Sequence, residues 1–146
     1  MLSVLRHAWW FWALLSAAFA ALTAILAKVG VAGVPPDVAT FVRTVVILAL
    51  TGAILLASGQ AAGLAAIPGR SVGFLVASGL ATGASWLCYV RALALGDAAR
   101  VAPLDKLSVV LVAILGVILL GESLTLPNWI GVALIAAGAI LVAYRG

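Results

Sequence analysis

The sequence predicts an all-α, polytopic membrane protein with five transmembrane helices. Two observations exclude the other classes. Of 146 residues, 66% are hydrophobic and only 8% are charged, with a mean hydropathy of +1.34. A soluble domain carries roughly 25% charged residues, so this chain lacks the charge to coat a water-facing surface. Disordered chains are polar, so disorder is excluded as well. The third observation is five separate apolar runs, each close to the roughly 20 residues that cross a bilayer as helix. The runs are continuous and lack period-2 alternation, so helices are expected and a barrel is not.

The expected helices lie near 8–28, 38–57, 71–93, 101–120 and 124–144, within a single domain over 1–146. The first run is uncharged from Ala8 to Ala27. It exceeds the usual apolar core of a signal peptide and is followed by four more runs, so a retained helix is expected. The second is interrupted only by Arg43, and the third is uncharged up to Val90. The fourth carries Asp105 and Lys106 in its first turns, with Pro103 suited to a first helical turn. The fifth has no charge between Trp129 and Ala143. The breaks carry turn chemistry: Gly33, Pro35 and Pro36 before an N-cap-like Asp37, then Gly59 and Pro68-Gly69, then Gly96-Asp97, then Gly121-Glu122 with Pro127.

The residual polarity bounds the chemistry. The net charge is +4, from eight Lys and Arg scattered singly, without the cluster that grips nucleic acid. Cys88 is the only cysteine, so no intrachain disulfide can form. His7 is the only histidine, and the chain has no metal-ligand spacing. No cofactor is implied. No nucleophile–base pair stands out, which places an intramembrane enzyme last.

At about 100° per residue, the polar residues of each helix fall on one side. On the second helix Thr40, Thr44, Thr51 and Ser58 lie within about 40°, with Arg43 and Asp37 about 60° to either side. On the third, Ser71, Ser78, Thr82, Ser85, Trp86 and Tyr89 fill an arc of roughly 100°, and Arg91 points away. Trp12 and Ser16 share a side of the first helix, and Asp105 and Ser108 share a stripe on the fourth. Lys106 is placed about 100° from Asp105. Gly131 and Gly138 form a smooth strip on the fifth, read as helix packing or a dimer contact. Bland readings stand beside these. Hydroxyls in membrane helices bond their own backbone, and Trp9, Trp10 and Trp12 suit an interfacial aromatic belt. Charges are costlier, at about 2.5–3.5 kcal/mol at mid-helix on the insertion scale. Alternating the spans gathers Lys28, Arg43, Arg91, Asp97, Arg100, Asp105 and Lys106 toward one membrane side. That reads either as a funnel narrowing onto Arg43 and Asp105, or as a structural ion pair.

The fourth and fifth helices carry a recognisable stretch: Val101-Ala102-Pro103-Leu104-Asp105-Lys106, then Gly121-Glu122-Ser123, then Trp129-Ile130-Gly131 through Gly138. It resembles the EamA domain of the drug/metabolite transporter superfamily, and the five-helix count agrees over the whole chain. The resemblance implies a transporter, often an exporter of amino acids, other metabolites or toxic compounds. Most members carry two such domains as an inverted repeat, and this sequence carries one. Glu122 matches the family's loop glutamate, with a structural role capping or bracing a helix end.

An odd span number puts the termini on opposite sides. Basic residues in loops number two on the N-terminal side (Arg6, Arg70) and three on the other (Lys28, Arg100, Arg145), too small a bias to fix orientation. Dual insertion giving an antiparallel homodimer in a bacterial-type inner membrane would supply the inverted repeat. The expected function is transport of a small molecule along a path lined by Trp12, Ser16, Thr40, Arg43, Thr44, Thr51, Thr82, Ser85, Trp86, Tyr89, Asp105 and Ser108. Asp105 is the coupling-proton candidate. The alternatives are a non-transporting subunit of a heteromer and a lipid-headgroup flippase, whose basic side would meet acidic headgroups.

Overall fold

The computed structural model describes residues 8–144, all helix and connecting turn, with no strand among them. The helices are α1 (Trp9–Gly30), α2 (Pro36–Ala57), α3 (Gly69–Leu95), α4 (Ala98–Asp105), α5 (Ser108–Leu120) and α6 (Leu126–Ala143). A short 3-10 turn, Gln60–Ala66, packs on α2. With α4 and α5 counted as one broken span, five segments are long and apolar enough to cross a membrane. His7, Arg6 and Arg145 lie outside the described residues.

The spans match the expected runs, and their ends differ for local reasons. α2 begins at Pro36 rather than after an Asp37 cap. Proline has no N–H to lose in a first turn, and Asp37 behind it meets the positive end of the helix dipole. Two chain reversals use left-handed glycines, Gly33 at φ +74° after α1 and Gly121 at φ +69° after α5. Past Gly121, the backbone N–H of Glu122 donates to the Gly116 carbonyl at 3.1 Å. The carboxylate of Glu122 turns back over the same residue, 2.6 Å from where a Cβ on Gly116 would stand. Glu122 thus braces the end of α5. α6 starts at Leu126, later than expected, because Pro127 fits only a first turn.

The fourth span departs most from expectation. It begins at Ala98, so Pro103 lies inside α4 rather than in its first turn. Proline cannot continue the i→i−4 ladder. The next amides reach back three residues instead, Lys106 to the Pro103 carbonyl at 3.0 Å and Leu107 to Leu104 at 3.1 Å. The α-helix resumes only at Ser108.

The described chain divides into two compact units. One comprises Lys28–Ala94, which holds α2, the 3-10 turn and nearly all of α3. The other joins the chain up to Ala27 with everything from Leu95 onward, and in it α6 packs against both α4 and α5. Large apolar side chains stay exposed on every span, for example Phe74 at 69% and Leu141 at 74%. In water such surface would drive aggregation; in hydrocarbon it is the solvated face. Association of spans then rests on close packing and polar contacts rather than on apolar transfer.

Candidate functional site

Within Lys28–Ala94, α2 and α3 flank a partly open cavity of about 380 Å³. That volume suits a small metabolite. Thr40, Arg43, Thr44 and Ile47 line it from α2. From α3 come Leu75 and Ser78, Gly79 and Thr82, then Gly83 and Trp86. A Cβ built on Gly79 or Gly83 meets nothing within 4 Å, so the missing side chains at these two positions open into unfilled space.

Arg43 dominates the chemistry. It sits about 10 Å along α2 from Pro36. Its guanidinium carbon lies 4.0 Å from the centroid of the Trp86 ring. Trp86 is held in turn by Tyr89, edge to face at 6.2 Å and 84°. A cation over an aromatic face gains about 0.5–2 kcal/mol. Against a mid-helix charge cost of about 2.5–3.5 kcal/mol, the stack offsets only part. Nη1 of Arg43 is shielded from solvent and has no hydrogen-bond partner. A desolvated charged donor with no acceptor is a costly arrangement that a bound anion would relieve.

The hydroxyls play a different part. Thr40 Oγ1 donates to the Pro36 carbonyl at 2.9 Å, Thr44 to Thr40 at 2.9 Å and Thr82 to Ser78 at 2.9 Å. Thr51, on the same stripe, donates to Ile47 at 2.8 Å and does not line the cavity. With the proton given to the helix, each of these threonine hydroxyls presents only an acceptor oxygen, whereas the Ser78 hydroxyl in the same lining makes no such bond. The bland reading of the threonine row therefore holds for its protons, while its oxygens stay free to accept.

At the adjoining end of this helix pair, Nη2 of Arg91 donates to both carboxylate oxygens of Asp37, at 2.9 and 3.1 Å. The helical wheel pointed Arg91 away from the polar arc. Its long side chain reaches round from near the end of α3 to the first turn of α2. Nearby, Lys28 Nζ donates to the Leu93 carbonyl at 2.7 Å, satisfying an acceptor in the last turn of α3.

Arg43 and Asp105 belong to different units, and each makes a contact within its own. Arg43 stacks on Trp86, and in the other unit Asp105 meets Lys106 at 3.4 Å. The wheel had separated those two neighbours, but the helix breaks between them and the lysine folds back. Of the expected path residues, Thr40, Arg43, Thr44, Thr82 and Trp86 line one cavity, and Tyr89 buttresses it. Ser85 is exposed and outside the lining. Trp12, Ser16, Asp105 and Ser108 belong to the other unit. There Trp12 packs edge-on against Phe11 at 5.5 Å, and Ser108 opens α5. Gly131 and Gly138 face open space. The sequence reading missed Ile47, Leu75, Gly79 and Gly83. The spacing of four between the two glycines was the available signal.

Among the described residues no group of three or more His, Cys, Asp or Glu could hold a metal ion. Five membrane-length segments define a polytopic helical membrane protein, and two of them flank a cavity of small-metabolite size with one cation in its lining. The chain belongs to the EamA-like transporter family, whose pattern matches residues 7–144. A Sinorhizobium sp. protein described as an uncharacterized transporter in the cobO 3' region is 66% identical over 139 residues. The match covers 95% of this chain and 99% of that relative. No solved structure matches the chain significantly. The protein is therefore a membrane transporter of the EamA type.

Proposed function

We propose that the α2–α3 cavity is the substrate site, and that the protein exports a small metabolite or toxic compound across the bacterial cell membrane. One observation carries the reading: a charged donor, Arg43 Nη1, is held without an acceptor in a cavity of about 380 Å³. Membrane proteins place such groups where a ligand or ion meets them. The outward direction rests on the resemblance to EamA-domain exporters. Asp105 serves as the coupling proton site.

The working unit is an antiparallel homodimer of single five-helix domains inserted in both orientations. Its support is the odd span number and the two-against-three distribution of basic loop residues. The open strip at Gly131 and Gly138 suits close approach of a second helix. The test is transport in proteoliposomes across a metabolite panel, with and without a pH gradient. Transport that disappears in Arg43→Gln supports the site, and transport unchanged in that variant removes it. Tags on the two termini each found on one membrane side only, in every molecule, would exclude dual insertion.

A further inference from the structure

We infer that the cavity selects a monovalent organic anion: a carboxylate on an apolar body, with neither a second negative charge nor an ammonium group. The inference rests on the cavity being the substrate site and goes on to its charge balance. Among the ten lining residues there is one cation, Arg43, and no acid. The acid nearest along α2, Asp37, is taken by Arg91 at 2.9 Å. The lining therefore carries one positive charge that no lining acid compensates. A monoanion brings it to neutrality. A zwitterion leaves the site as charged as before and adds an ammonium with no carboxylate to meet. A dianion overshoots.

The donors agree with this count. Arg43 Nη1 offers a partner to a carboxylate oxygen. The hydroxyls of Thr40, Thr44 and Thr82 have given their protons to helix carbonyls, which leaves Ser78 as the one lining hydroxyl to donate, too few donors for a phosphate's further oxygens. The rest of the ligand meets Trp86, Leu75 and Ile47, an apolar and partly aromatic wall. A free ammonium would have neutral hydroxyl oxygens and a Trp86 face already stacked by Arg43, with no carboxylate to balance its charge.

The experiment is isothermal titration of the purified full chain in nanodiscs with two matched series. One is 3-phenylpropionate, L-phenylalanine, phenethylamine and phenyl phosphate; the other is hexanoate, norleucine, hexylamine and hexyl phosphate. Each compound is also titrated against Arg43→Gln, which subtracts partition into lipid, and against Arg43→Lys, which keeps the charge and loses the planar stack. The expected result is that the carboxylate of at least one series binds about tenfold or more tighter than its amino acid, amine and phosphate. That preference is lost in Arg43→Gln and kept, weakened, in Arg43→Lys. If the amino acid, amine or phosphate binds as well as the carboxylate, and does so through Arg43, the charge inference is overturned and the cavity stands as the site. If no compound binds, or binding ignores Arg43 in both variants, the cavity reading and the inference fall together.

Discussion

The guanidinium carbon of Arg43 lies over the Trp86 ring, 4.0 Å from its centroid, and Tyr89, one turn along the same helix as Trp86, braces that ring edge to face. This one contact brings the basic residue of the α2 span against an aromatic of α3. It fixes the direction of the Arg43 head and leaves Nη1 for another partner.

Trp86→Leu removes the aromatic face and leaves the charge. At about 0.5–2 kcal/mol for the stack, the apparent substrate affinity should fall roughly 2- to 30-fold. Trp86→Phe should fall less. The concentration dependence of transport in proteoliposomes reads both variants.

The Arg91–Asp37 pair is more than half exposed on both sides, at 56% and 63% of the two side chains. Exposed pairs contribute about 0–1 kcal/mol. Asp37→Asn and Arg91→Gln should each change thermal stability slightly. The charge-swapped double variant should recover what either single charge reversal loses. A double-mutant cycle giving more than about 2 kcal/mol would mark the pair as something other than a surface contact.

Two glycines of the α5 end should respond differently to alanine. At Gly116 the obstructing atom is the tip of the flexible Glu122 side chain, 2.6 Å from the built Cβ. The carboxylate can swing aside, and the helix propensity gained offsets the lost contact, so Gly116→Ala should be close to neutral. Gly121 holds φ +69°, where a Cβ costs about 1–2 kcal/mol. Gly121→Ala should melt measurably lower than Gly116→Ala in detergent.

The spans were legible because an apolar run of 20 residues has one stable form in lipid. Their ends were less so, since Pro103 could sit in a first turn or break a helix, and only the position of Ala98 decides which. For the cavity, Thr40, Arg43, Thr44, Thr82 and Trp86 were legible as a polar face on each of two helices. Gly79 and Gly83 were not, because a search for polar side chains overlooks the positions that contribute only room. The stacking partner of Arg43 was not legible for a related reason. An acid at Asp105 attracts attention on a charge argument, while the stacking surface of Trp86 carries no formal charge. Arg91 shows the limit of the helical wheel, which gives the direction of Cβ and not the reach of a guanidinium.

The central claim is that the α2–α3 cavity faces water and solute rather than acyl chains. Cys88 is the only cysteine, so Cys88→Ser gives a cysteine-free background. Gly83→Cys then places a thiol in the cavity, where the built Cβ has room. Phe74→Cys places one on the same helix at a position 69% exposed and outside the cavity lining. A thiol must ionise to react, and it ionises only where water reaches it. The measurement is the rate of labelling by a charged, membrane-impermeant maleimide in proteoliposomes. The cavity reading predicts that Gly83→Cys reacts at least about tenfold faster than Phe74→Cys and is slowed by a transported solute. Equal, slow labelling at the two positions would contradict it.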